Sequence, residues 1–213
     1  MWWDNKKYRV EGPTYTRLRS RQKITHKNIN DFDQDGTLDN LDLESPQQLG
    51  FGAAYTFRNL NLTIEANAKW LNWSDAAGYD DFDWEDQWIY SIGAQYSPID
   101  KLQLRIGYNY AANPVKEHNG FDGTQGISVQ GKTMMSQYYY ETFRIIGFPA
   151  IAEQHLTFGI GYQFTEWFSA NLGFMYAIEQ TIRERGTDPF GMPATLESTL
   201  SETSIDFGLT WRF

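Results

Sequence analysis

The sequence has no cysteine, which fits export through an oxidising compartment where free thiols are at risk. It also has no run approaching the roughly 18 apolar residues of a membrane-spanning helix, so helical membrane architecture is excluded. There is no basic excess: the formal net charge is −9, and phosphate recognition needs a cationic stripe, so nucleic acid is not an expected partner. The opening Met1-Trp2-Trp3-Asp4-Asn5-Lys6-Lys7 has neither an apolar h-region nor a small-residue cleavage site. The expectation is that a leader has been removed or that an N-terminal part of the protein lies outside this sequence. Finally, no G-x-S-x-G element occurs, and His26, His118 and His155 have no Ser/Asp arrangement near them in sequence, so an enzyme is not expected.

What is abundant is aromatic surface. Phe, Tyr and Trp make up 16% of 213 residues, yet mean hydropathy is −0.56. A soluble sandwich core does not account for that pairing. A transmembrane β-barrel does, because residues facing lipid alternate with residues facing water.

Period-2 alternation confirms the strand reading. Leu49, Phe51, Ala53, Tyr55 and Phe57 alternate with small or polar residues, as do Leu62, Ile64, Ala66, Ala68 and Trp70 after a turn at Arg58-Asn59. The same pattern recurs in 88–96, 102–110, 156–164 and 168–176, and in Ile205, Phe207, Leu209, Trp211 and Phe213 against Asp206, Gly208, Thr210 and Arg212. Seven strands therefore lie in 47–213. An eighth, less regular strand is expected within 14–27, where Arg17, Arg19, Arg21 and Lys23 share one side. The turns near 58–59, 97–100 and 165–166 are short, whereas 28–46, 72–86, 112–153 and 178–200 read as long loops. Strict alternation of short and long connections is the asymmetry of outer-membrane barrels, with short periplasmic turns and long extracellular loops. The expected fold is all-β, an antiparallel transmembrane barrel with about eight strands in this chain. The expected place is the outer membrane of a Gram-negative bacterium. Eight strands can close as a small barrel or form part of a larger one.

Several elements resemble the C-terminal half of the FadL/TodX family of outer-membrane transporters. They are Leu49-Gly50-Phe51-Gly52-Ala53-Ala54-Tyr55, Trp70-Leu71-Asn72-Trp73-Ser74, Gly93-Ala94-Gln95-Tyr96 after Trp84 and Trp88, Leu104 to Tyr110 followed by Asn113-Pro114-Val115, Phe148-Pro149-Ala150-Ile151, and His155 to Tyr162. The resemblance covers roughly 47–213. It implies passive uptake of long-chain fatty acids or other hydrophobic compounds, a fourteen-stranded barrel with an N-terminal plug, and lateral release of the ligand through the wall. The sequence lacks the plug and first strands of that pattern, so the resemblance implies an N-terminal barrel section as a missing partner. A compact eight-stranded barrel with a structural or surface role is the other reading. The terminal strand ending at Phe213 resembles the signal read by the barrel assembly machinery.

The sharpest local motif is Asp31-Phe32-Asp33-Gln34-Asp35-Gly36-Thr37-Leu38-Asp39-Asn40-Leu41-Asp42. It has calcium-loop spacing: Asp31, Asp33, Asp35, the Thr37 carbonyl, Asp39 and Asp42 would wrap a hard cation, and Gly36 permits the turn. Position twelve is Asp, not Glu, and no helices flank the loop. Ca2+ or an acidic turn both fit, and a cation there would rigidify the loop or bridge to lipopolysaccharide phosphates. A second acidic segment, Asp75 to Asp86, carries Tyr79, Phe82 and Trp84, readable as ligand capture or as a solvated loop. In 112–153, Met134, Met135, Tyr139, Phe143 and Phe148 are candidates to touch a hydrophobic ligand or to pack among themselves. Lys69 and Arg105 fall on the inward parity, where they could meet a fatty-acid carboxylate or pair with neighbours such as Glu65.

Overall fold

A computed structural model describes residues 8–16, 19–20, 43–134, 136–147 and 150–212. In chain order the strands are β1 (Tyr8–Thr16), β2 (Arg19–Ser20), β3 (Leu43–Glu44), β4 (Gln47–Phe57), β5 (Leu62–Asn72), β6 (Gln87–Ile99) and β7 (Leu102–Ala111). They continue with β8 (Phe121–Asp122), β9 (Ile127–Val129), β10 (Lys132–Met134), β11 (Gln154–Thr165), β12 (Phe168–Thr187) and β13 (Pro193–Trp211). Helix α1 (Gln137–Thr142) runs directly into a π-helical turn, Phe143–Gly147. No helix among the described residues is long and apolar enough to cross a membrane.

Eight strands form one antiparallel sheet in the order β1-β4-β5-β6-β7-β11-β12-β13, and β8 adds to β12 in parallel. Register follows polarity. Tyr55, Ile64, Ala94, Ile106, Phe158, Phe174 and Ile205 sit side by side across seven strands. One residue along, Thr56, Thr63, Gln95, Arg105, Gly159, Gly173 and Asp206 make the neighbouring row on the other face. A slip of one residue would exchange these faces wholesale, so the alternation fixes the pairing. The apolar face is not covered by protein: Phe158 is 49% exposed and Ile205 72%. A soluble protein rarely shows so continuous an apolar surface, whereas a barrel wall shows it to lipid. Among the described residues β1 and β13 each have one neighbour, so the sheet has two open edges.

Two expectations are corrected. The strand expected within 14–27 lies earlier, at Tyr8–Thr16, and pairs with β4. Its register breaks between Glu11 and Thr14, at Gly12-Pro13; a proline N–H is missing at no cost to the ladder when the strand is on an edge. Residues 19–20 pair instead with 43–44, and 21–27 lie outside the described residues. Segment 178–200 is not a loop: β12 and β13 continue past a register shift at Ala177/Gln180 as a paired hairpin from Gln180/Leu200 to Thr187/Pro193. Its turn is short, closed by Asp188 Oδ1 accepting from the N–H of Phe190 and of Met192, both at 2.9 Å, with Gly191 at φ 77°. The long connection 112–153 contains β8, the β9–β10 hairpin and α1. Phe213 lies outside the described residues.

The buried core is not inside the sheet's curve. Phe82, Trp84, Val115, Phe121, Tyr140, Ile145, Ile151, Ile182 and Leu196 cluster together, and all belong to connections or to the β12–β13 extension. These segments make a loop module beyond the spanning parts of the strands. Ser136 starts α1 by accepting from the Tyr138 N–H (3.1 Å) while its buried hydroxyl donates to the Gly123 carbonyl (2.6 Å).

Candidate functional site

The inner wall is built from the polar parity of the strands. Thr63, Glu65, Asn67, Ser91, Gln95, Arg105, Asn109 and Thr157 line an open cavity of about 430 Å³. At position 107 the space is taken: a Cβ on Gly107 would stand 2.5 Å from Thr157 Oγ1. Arg105 is held by neutral partners. Its Nε donates to Gln95 Oε1 (2.8 Å) and Nη1 to Asn171 Oδ1 (3.1 Å), and Nη2 contacts Gln103 Oε1. Glu65 instead accepts from Asn67 Nδ2 (2.8 Å). Across the sheet, Gly159 and Gly173 separate Arg105 from Asp206. No ion pair of Arg105 or Lys69 occurs among the described residues, so neither inner cation is neutralised there.

Lys69 is on the inner wall as expected, but the fold does not bring it to Arg105. Its row runs Lys69-Ile89-Ala111, and Ala111 is six residues along β7 from Arg105, about 20 Å of strand.

The other expected residues lie on the loop module or outside the described chain. Tyr139 is exposed, with its ring 5.7 Å from that of Tyr138; Phe143 packs on Phe82 at 5.3 Å and stays partly exposed. Tyr139 and Ile146 are about half exposed and Phe143 about a third, while Tyr140, Glu141, Arg144 and Ile145 point into the module. Met134 pairs through its backbone with Ile127; Met135 and Phe148 lie outside the described residues, as does the whole Asp31–Asp42 motif. In the second acidic segment Asp75, Asp80, Glu85 and Asp86 stay exposed, while Phe82 and Trp84 are buried. Asp86 Oδ1 accepts from the N–H and hydroxyl of Ser74 (3.1 and 2.7 Å), and Asp81 Oδ1 from the Gln130 N–H (3.1 Å). Trp84 packs edge-on against Trp73 (5.0 Å) and at a steep tilt against Tyr79 (4.9 Å).

One cluster escaped the sequence reading because its members come from four segments. His118 Nε2 meets Asp83 Oδ2 at 2.7 Å and its Nδ1 meets Glu141 Oε1 at 3.0 Å. Arg144 Nε donates to Glu141 Oε2 (2.7 Å), Nη1 to the Lys116 carbonyl, and Nη2 to Glu184 Oε1, which also accepts the His118 backbone N–H (2.9 Å). Arg144 and Glu184 are fully buried. Burial pushes the Glu184 carboxyl up to about 7, against the pull of the His118 N–H and Arg144, and the neighbouring Glu141 adds to the rise. Glu141 is also buried, but the hydrogen bond from His118 and the charge of Arg144 outweigh burial and hold it below the usual carboxylate value. His118 is raised, chiefly by its bond to Glu141, with burial opposing and Asp83 assisting. His118, Glu141 and Glu184 offer donor atoms within 4.8 Å of one another, but the Arg144 guanidinium already binds both carboxylates and supplies the positive charge a metal would bring. Both ring nitrogens of His118 are engaged by carboxylates, which leaves none to activate a hydroxyl.

Comparison with known proteins places these features in a family. The family described as "Outer membrane protein transport protein (OMPP1/FadL/TodX)" matches residues 7–122, more than half of the chain. No curated protein matches the chain. Among solved structures, the Pseudomonas putida toluene transporter TodX is similar at 20% identity and a TM-score of 0.50, over 84% of this chain and 39% of that one. A Pseudomonas aeruginosa FadL homologue is similar at 16% identity and a TM-score of 0.49, over 82% of this chain and 38% of that one. The chain thus spans about two-fifths of the length of these structures.

Proposed function

The chain belongs to the OMPP1/FadL/TodX family of outer-membrane transport proteins, and from that premise we propose that it forms part of a barrel wall passing hydrophobic compounds inward across the outer membrane. Hydrocarbon-bonded lipid offers no partners to a bare strand edge, so β1 and β13 require further strands to close the wall. An N-terminal barrel section is the fitting partner, and outer-membrane lipid, lipopolysaccharide and the barrel assembly machinery are the remaining ones. A compact barrel closed by β1 on β13 is the competing arrangement, and a crosslink between those strands would favour it.

The observation that carries the choice of ligand is Arg105. It is a cation on the inner wall, oriented by three amide oxygens and lacking a carboxylate among the described residues. Such a group suits an amphiphile with one acidic end, hence a long-chain fatty acid, whose carboxylate completes the pairing. Lys69, nearer the loop end, serves as an earlier electrostatic contact, and Tyr139 and Phe143 offer the apolar tail a first surface. The Arg105→Gln variant in lipid vesicles should weaken fatty-acid binding about tenfold, on the order of 1.4 kcal/mol, and leave a neutral aromatic hydrocarbon unaffected. Equal loss for both ligands, or for neither, would refute the role of Arg105. A neutral hydrocarbon that binds while the fatty acid does not would favour the substrate class named for TodX.

For Asp31, Asp33, Asp35, Thr37, Asp39 and Asp42 we propose a Ca2+-ordered extracellular loop. Chelation should expose the chain near Asp35 to protease; an unchanged cleavage pattern would remove the cation.

A further inference from the structure

We propose that Asp83, His118, Glu141, Arg144 and Glu184 form a proton-operated latch: protonated at Glu184 and His118, it clamps the helical run 137–147 to β12 and to the 73–86 connection, and deprotonation releases that helix. The reading does not depend on which compound the barrel passes.

The geometry comes first. Arg144 reaches two carboxylates on different elements, Glu141 on its own helix and Glu184 on β12, and His118 bridges Glu141 to Asp83. No other ionic contact among the described residues ties those three elements together. Outside this set, Lys116 stands 3.7 Å from Asp83 and 4.0 Å from Glu85, on the exposed side. Tyr140, from the helix, donates to the Asp81 carbonyl (2.8 Å) and carries no charge.

Charge decides the sign. With Glu184 neutral and His118 cationic, the two positive groups His118 and Arg144 balance Asp83 and Glu141. When both protons leave, Arg144 faces the two buried carboxylates Glu141 and Glu184, while Lys116 on the exposed side remains near Asp83. Glu184 Oε2 is buried without a hydrogen-bond partner among the described residues, which disfavours the anion. Like charges in one site favour a shared proton over full ionisation. Because Glu184 and His118 are both raised in the folded state, their contribution is complete below their ordinary values and is lost as pH rises through their folded ones, near 7 for Glu184. Asp83 is held low by His118 and Lys116 although burial opposes, and Glu141 is held low by His118 and Arg144. These two act on the acid side, where stability is lost only as pH falls through their depressed values. The latch is therefore closed in mildly acidic medium and opens toward alkaline. Opening would free the helix that carries the partly exposed Tyr139, Phe143 and Ile146.

The test is backbone hydrogen exchange over Gln137–Gly147 in the full chain, reconstituted in lipid vesicles and corrected for intrinsic rates, at about pH 6 and about pH 8.5. Wild type should lose protection at least about tenfold between the two, and Glu184→Gln, which holds the neutral form, should reduce the loss below about threefold. A flat wild-type profile, or an E184Q profile as steep as wild type, overturns the latch. If E184Q is unprotected even at about pH 6, the infrared C=O band of a buried protonated carboxyl in wild type decides. Its presence at about pH 6 and loss by about pH 8.5 supports the latch, and its absence at the lower pH overturns it.

Discussion

Arg144 and Glu184 stand forty positions apart and meet in the loop module with no exposed side-chain surface on either. Removing Arg144 leaves the buried Glu141 carboxylate with His118 alone and takes the charged donor from Glu184, whereas replacing both ends of such a contact with apolar groups is often tolerated. Arg144→Met should therefore cost the module about 3–5 kcal/mol, read as rapid proteolysis within 112–147 while the strand bodies stay protected. The double variant Arg144→Met/Glu184→Leu should recover part of that loss, since Glu141 keeps His118 as a partner. No recovery would mean that Arg144 acts through packing and not through charge.

Two glycines of the β12–β13 hairpin should respond oppositely to a methyl group. A Cβ on Gly186 would overlap the Phe121 backbone and ring, where β8 docks on β12, so Gly186→Ala should destabilise the module by about 1–3 kcal/mol. A Cβ on Gly208 meets nothing within 4 Å among the described residues, so Gly208→Ala should stay within about 0.5 kcal/mol. Urea denaturation followed by exchange in each segment separates the two. Equal effects would contradict the docking of β8.

Tyr139 is half exposed and lies on α1. Tyr139→Ser should leave module stability within about 0.5 kcal/mol, yet slow uptake of a fluorescent fatty acid by vesicles. Unchanged uptake would remove this residue from the ligand's path.

The sequence disclosed the wall better than the module, for a physical reason. In the spanning strands each parity meets one medium, so Tyr55, Ile64 and Phe158 contrast cleanly with Thr56, Thr63 and Gly159, and register follows. Lys69 and Arg105 were legible as inner cations by the same parity, and their different distances from the short turns at 58–59 and 97–100 already set them at different heights on the wall. In the hairpin extension Ile182 and Glu184 share a buried side, which erases the contrast that marks a strand. The partners of Glu184 come from remote segments, and no local motif announces them. Gly12-Pro13 hid β1 by breaking its alternation.

Since the chain contains no cysteine, single cysteines carrying a spin label report one position at a time. Along β11 the labels would go on Thr157, Phe158, Gly159, Ile160 and Gly161 in the vesicle-reconstituted protein, with accessibility measured to oxygen in lipid and to a water-soluble metal chelate. The central claim, a wall with lipid on one parity and a watery passage on the other, predicts oxygen maxima at Phe158 and Ile160. Chelate maxima should fall at Thr157, Gly159 and Gly161. Equal chelate access at all five positions, or maxima repeating at a helical period, would contradict it.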